Sequence, residues 1–312
     1  ALGDAMAALN FLARERADVI VLDVEMPGQN GLAALPDILA AGRGAQVLIV
    51  STTCASGAEA SVRALALGAA DTLVKPGAGV LAGRFAELLH ERLARLAEAR
   101  PPVERATSGS AKPRQPVRRA PPRVVAIGAS TGGIHALNRM LAEIDAACDA
   151  PILVTQHLPA TFMPYFADQL AQLARRPCLV AEDRMRICSG HVYIAPGEGH
   201  LTCVSMTDGQ SIRIDRRASE SGCTPSADPM FASIGDVYGA GALGIVLSGM
   251  GRDGVIGARR LIDAGGALMA QDRASSVVWG MPGAVVEAGL AEAVLPPEAI
   301  GSAVRARFVE IG

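Results

Sequence analysis

Short, mostly apolar runs, bounded by polar residues, glycine or proline, recur along this chain of 312 residues and constrain its fold more than any other feature. The runs at 19–24, 46–51 and 71–74 have the length of strands rather than helices. Amphipathic stretches at 5–15, 32–41, 58–67 and 81–97 separate them; the second contains Pro36, and Gly68 stops the third. A strand with no polar side is one buried on both faces, as in a parallel sheet covered by helices. The pattern resumes with runs at 123–127, 151–156, 179–181, 191–195, 242–248 and 266–270. Residues 201–215 instead alternate apolar and polar around Asp208-Gly209, the pattern of an antiparallel hairpin. The expectation is an α/β chain whose second part is a doubly wound, mostly parallel sheet with one antiparallel edge.

Between residues 100 and 123 the periodicity stops and six prolines mix with Ser, Arg and Lys. This predicts a linker at 99–122 between domains at 1–98 and 123–312, in line with about 150 residues per domain. Aromatics make up only 3%, so Ala, Val, Leu and Gly must fill the two cores. A net charge of -2 argues against a nucleic-acid or other polyanion binder. No run of 18 apolar residues predicts membrane insertion. The start, Ala1-Leu2-Gly3-Asp4, lacks the charged-then-apolar build of a signal peptide. Cysteines 54, 148, 178, 188, 203 and 223 form no CxxC pair and no metal-type spacing, which predicts reduced thiols in a cytoplasmic protein.

Val124-Val125-Ala126-Ile127-Gly128-Ala129-Ser130-Thr131-Gly132-Gly133 reads as strand, tight turn and helix start. That is the setting a GxSxG nucleophile elbow needs: glycines let the backbone turn, and the helix N-terminus favours a developing oxyanion. A phosphate-binding turn and a purely structural turn are the competing readings, although GxGxxG and GK[ST] are both absent. A serine nucleophile needs a base, and His157 ends the next strand, on the same sheet edge. His135 lies one turn into the helix, His191 and His200 flank a strand, and His90 belongs to the first domain's last helix. The orienting acid is expected from a third strand end, where Asp253 follows the run at 242–248. Asp253 also suits an N-cap for a helix near Gly254, and Asp272 is the alternative acid. The order Ser, His, Asp differs from the Ser, Asp, His order of α/β-hydrolases.

Taken together these segments resemble the bacterial chemotaxis response-regulator methylesterase family, CheB. The resemblance rests on 127–133, on Thr155-Gln156-His157, on 192–197, on Gly249-Met250-Gly251-Arg252-Asp253-Gly254 and on 276–282. It implies Ser130 as nucleophile, His157 as base, Asp253 as orienting acid, and Thr131 and Met250 lining the site, with the Met250 backbone as oxyanion donor. It implies hydrolysis of glutamate methyl esters on chemoreceptors, deamidation of receptor glutamines by the same acyl chemistry, and no cofactor for catalysis. Gly283 departs from the family, which usually has arginine there.

By the same resemblance the first domain is a flavodoxin-like response-regulator receiver with Asp23 as phosphoacceptor, Ser51 as switch hydroxyl and Lys75 as phosphate partner. A histidine kinase is the implied phosphodonor, and Mg²⁺ the implied ion for phosphorylation. Asp23 comes only 23 residues into the chain, so the family's first two strands and the acidic pair that holds Mg²⁺ are expected to precede residue 1. The receiver is therefore expected to be partial, its Mg²⁺ site reduced to Asp23 and the edge of the 19–24 strand bare. The alternatives are a non-catalytic signalling adaptor and, built on the glycine-rich turn, a nucleotide-binding oxidoreductase.

Overall fold

A computed structural model describes residues 1–26, 30–51, 55–75, 82–98, 120–145 and 147–309, with backbone alone at 55, 56, 82–84 and 309. The chain divides into two compact units, Ala1–Pro102 and Val103–Gly312. Most of the expected linker, 99–119, lies outside the described residues, as do Cys54 and Pro76.

In the first unit the elements run α1 (Ala5–Leu12), β1 (Val19–Asp23), α2 (Gly31–Ala41), β2 (Gln46–Ser51), α3 (Ala55–Leu67), β3 (Asp71–Val74) and α4 (Ala82–Glu98). Asn30 starts α2, its side-chain oxygen accepting the Leu32 N–H at 2.8 Å. The sheet is parallel, in the order β1-β2-β3. β2, the middle strand, is buried from Val47 to Ser51, whereas β1 lies at an edge with Val21 47% exposed.

The second unit begins with β4 (Val124–Ala129), α5 (Gly133–Leu141), β5 (Ile152–Gln156), α6 (Met163–Ala174), β6 (Cys178–Val180) and β7 (Val192–Ile194). A hairpin, β8 (His200–Met206) and β9 (Gly209–Asp215), precedes α7 (Ala227–Tyr238). There follow β10 (Ala242–Val246), α8 (Val255–Asp263), β11 (Ala267–Gln271), α9 (Met281–Glu287), β12 (Ala293–Leu295) and α10 (Pro297–Val309). Seven strands form one sheet in the order β12-β11-β10-β4-β5-β7-β6, and every pairing in it is parallel.

The expected antiparallel edge is therefore corrected: β8 and β9 form a separate two-stranded sheet. The hairpin's alternation has a different cause. Leu201, Cys203 and Ile212 turn inward and join a core shared with Met230, Phe231 and Ile234 of α7. The short β12 was not anticipated, since three residues carry too little pattern to be read.

β4 is buried along its whole length because helices cover both faces of the sheet's centre. Each side chain such as Ile127 contributes on the order of 1.5–3 kcal/mol through that burial. The chain builds outward from β4 in one direction to β5, then returns to its other side at β10. β4 is thus the switch point of the sheet, and the crevice beyond the carboxyl ends of β4, β5 and β10 is where doubly wound folds bind ligands.

Candidate active site

Ser130 follows the last residue of β4, and both neighbouring strand ends hold its backbone. Its N–H donates to the Ser248 carbonyl at 3.0 Å. Its own carbonyl accepts from the Gly133 N–H at 2.8 Å and from Gln156 Nε2 at 2.9 Å. Two glycines make the turn possible. Gly132 sits at φ +74°, and a Cβ there would come within 2.4 Å of Val277. A Cβ on Gly249 would lie 2.9 Å from that of Ser130 and 2.4 Å from Met281 Sδ. Ser130 and Met250 are partly exposed, and Thr131 is buried.

Register brings His157 alongside Ser130. Ala129 pairs with Gln156, so the next residues, Ser130 and His157, leave adjacent strands side by side. The His157 N–H donates to the Ala129 carbonyl at 3.0 Å. The imidazole Nε2 lies 2.8 Å from Asp253 Oδ2. Asp253 is 1% exposed, and two further donors reach it: the Ser226 hydroxyl to Oδ1 at 2.5 Å and the Ala227 N–H to Oδ2 at 2.7 Å. Burial pushes this carboxyl up, but the hydrogen bond and charge of His157, then the Ala227 amide and the Ser226 hydroxyl, outweigh it. The net effect holds Asp253 well below the usual carboxylate range, so it stays charged.

The carboxylate of Asp253 is engaged by His157, Ser226 and Ala227 and does not cap α8. Gly254, at φ +95°, is the N-cap residue of α8, with no side-chain cap, so the Asp253 carboxylate is not spent there. Asp272 instead closes a local turn, accepting from the Ser275 N–H at 3.0 Å. His191 Nδ1 lies 2.9 Å from the Ser189 carbonyl, and His90 is exposed on α4.

Sequence reasoning missed Ser226. As N-cap of α7 its oxygen accepts from the Asp228 N–H at 3.2 Å while its proton goes to Asp253. The helix-start signal Ser226-Ala227-Asp228-Pro229 could have revealed the cap but not its partner. His200, expected to flank a strand, is fully buried, with Nδ1 accepting the Ser226 N–H at 2.9 Å and Nε2 2.8 Å from the Arg217 carbonyl. A hydrogen-bonded line thus runs from His200 through Ser226 and Asp253 to His157. Gly283 packs under Trp279, where a Cβ would meet the ring at 2.9 Å.

In the first unit, Asp23, Ser51 and Lys75 come together at successive strand ends. Asp23 pairs with Val50 in the ladder, and the Lys75 N–H donates to the Ser51 carbonyl at 2.7 Å. Lys75 Nζ lies 2.6 Å from Asp23 Oδ2, and Asp23 Oδ1 accepts the Glu25 N–H at 3.0 Å. Ser51 is fully buried, its hydroxyl 2.7 Å from that of Ser61.

Comparison with known proteins agrees with both halves. Residues 125–304 match the CheB methylesterase family and residues 1–81 the response regulator receiver domain. A protein-glutamate methylesterase/protein-glutamine glutaminase of Caulobacter vibrioides is 42% identical over 97% of this chain and 89% of its own length. Another, of the group 2 operon of Rhodospirillum centenum, is 40% identical over 94% and 83%. The crystal structure of the Thermotoga maritima CheB methylesterase catalytic domain superposes with a TM-score of 0.58 at 32% identity, covering 59% of this chain and 98% of that one. The chain belongs to the CheB methylesterase family, a hydrolase with a receiver domain ahead of its catalytic domain.

Proposed function

We propose that Ser130, His157 and Asp253 form a catalytic triad that hydrolyses glutamate methyl esters of chemoreceptors and deamidates receptor glutamines by the same acyl chemistry. The observation that carries this reading is the buried Asp253 carboxylate 2.8 Å from His157, itself beside Ser130 on the crevice edge. With Nε2 committed to Asp253, Nδ1 is the nitrogen left to take the Ser130 proton as Oγ attacks the ester carbonyl. The tetrahedral oxyanion forms near the turn at Ser130, with Thr131 and Met250 lining it and the Met250 amide as donor. As the tetrahedral adduct collapses, the imidazolium returns its proton to the leaving methoxide, and methanol departs. His157 then activates a water, which opens the acyl-serine to free glutamate and restores Ser130. A glutamine side chain follows the same course with ammonia as the leaving group.

The test is methanol release from methylated receptors. Ser130→Ala should lower it by several orders of magnitude. A fluorophosphonate should label the native chain at Ser130 and not the denatured one; turnover close to wild type in Ser130→Ala would overturn the triad.

We further propose that a histidine kinase phosphorylates Asp23 to control the esterase, with Lys75 neutralising the phosphoryl charge and Ser51 reading it, and that the reaction takes place in the cytoplasm. No helix of the described residues is long and apolar enough to cross a membrane. Mg²⁺ in such sites neutralises the phosphate oxygens and uses one or two carboxylates. Asp23 suits one such position, but among the described residues no group of three acidic, histidine or cysteine side chains converges on it.

A further inference from the structure

The loop between β9 and α7 brings a thiol to the edge of the triad. Cys223 stands three residues before Ser226, and its Sγ, a ring nitrogen of His157 and a carboxylate oxygen of Asp253 all lie within 4.8 Å of one another. It is the one such convergence of three metal-ligating side chains among the described residues. Nothing in the hydrolytic cycle calls for a sulfur there. We propose that Cys223, His157 and Asp253 form an inhibitory site for a thiophilic divalent cation of the Zn²⁺ type, which silences the esterase by taking the lone pairs the triad needs. The proposal rests on the triad reading for its consequence, not for the metal binding itself.

The donor set is sulfur, imidazole and carboxylate, which Zn²⁺ accepts and which Mg²⁺ and Ca²⁺ do not favour. Zinc bonds to these atoms are about 2.0–2.3 Å, so tetrahedral ligand atoms stand roughly 3.3–3.6 Å apart. The thiol must therefore move by about 1.5 Å at most, within reach of a side-chain rotation, and the bond between His157 and Asp253 must open slightly. His157 and Cys223 are both partly exposed, so an ion can arrive from solvent, while Asp253 beneath them is held by Ser226 and Ala227. On binding, the thiol releases its proton to solvent and the imidazole carries its own proton on the nitrogen away from the metal. No ring lone pair then remains to accept the Ser130 proton.

Burial first, then the charges of Asp253 and Asp228, raise the Cys223 pKa against a hydrogen bond with Ser221. A thiol held protonated in this way is a poor nucleophile and is not readily oxidised.

The experiment uses the full chain with methylated receptor as substrate. Zn²⁺ should inhibit and a chelator should restore the rate, whereas Mg²⁺ at the same concentration should not inhibit. Cys223→Ser and Cys223→Ala should retain metal-free turnover and need roughly tenfold more Zn²⁺, or beyond, for the same inhibition. Binding is read without turnover by adding Co²⁺ to Ser130→Ala: a thiolate-to-cobalt charge-transfer band should form, and be lost when Cys223→Ser is added. Equal Zn²⁺ sensitivity with and without Cys223, or a cobalt band indifferent to it, would overturn the inference and leave the triad standing. An active Ser130→Ala with a Cys223-dependent band would instead overturn the triad and keep the metal site.

Discussion

At Asp253 three donors converge on one carboxylate with almost no contact with water. A charge so placed is costly unless its lone pairs are filled, and here they are filled by an imidazole, a hydroxyl and a backbone amide. In the proposed triad Ser226 therefore positions Asp253 rather than reacting. Ser226→Ala leaves one carboxylate oxygen short of a donor and removes the α7 cap together, at a cost of about 1–3 kcal/mol in stability. Its kcat should fall on the order of tenfold, about 1.4 kcal/mol, with KM little changed, and Ser226→Thr should recover most of the loss. Steady-state kinetics with urea unfolding tests this; an unaltered kcat would remove Ser226 from the line leading to His157. A second check is the ring itself. With Nε2 donating to Asp253, nitrogen-15 NMR of neutral His157 should report the proton on Nε2.

Helices α7 and α8 meet so closely that a Cβ on Gly257 would fall 2.1 Å from the Asp228 carbonyl oxygen. Asp228 Oδ1 accepts the Gly257 N–H at 2.7 Å, tying the start of one helix to the start of the other. Burial, then the charge of nearby Asp253, raise its pKa from 3.8 to about 6 against the pull of the Gly257 and Gly254 amides. Between pH 4 and pH 6 the folded chain thus holds a proton that the unfolded chain has lost, and stability falls as pH rises through this window. Asp253 works in the opposite sense below pH 4, because its pKa is depressed and its contribution is lost on acidification. Asp228→Asn keeps an oxygen for Gly257 and needs no charge. It should flatten the loss between pH 4 and 6 and leave the variant more stable than wild type at pH 7, by about 1–3 kcal/mol. Urea unfolding at the two pH values decides, and an unchanged slope in the variant would refute the assignment.

On the scale of the whole molecule, every residue of the proposed triad and the core beneath it belong to the unit from Val103 onward. A chain beginning near residue 120 should therefore fold alone and release methanol from methylated receptors. Circular dichroism with the turnover assay checks both; a folded but inert fragment would mean that the first unit contributes to catalysis as well as to control. Residues 1–102 carry their own sheet, with Asp23, Ser51 and Lys75 at its strand ends and the β1 edge partly bare at Val21.

The placement of Ser130, His157 and Asp253 at one sheet edge could be read in the sequence because each follows a buried parallel strand, and such strands announce themselves as mostly apolar runs ending at one sheet edge. The turn at Gly132 was equally local, since strand, glycines and helix are consecutive. What the sequence could not decide were partners joined only by folding. Nothing in the sequence showed that Asp253 and His157, 96 residues apart, close to a 2.8 Å contact. The hairpin read as a sheet edge because alternation reports one buried face without saying what covers it, and here the cover is α7. Ser226 and Cys223 carried no signal toward the site, because the loop that delivers them is placed by the packing of α7 against the sheet and not by any periodicity of its own.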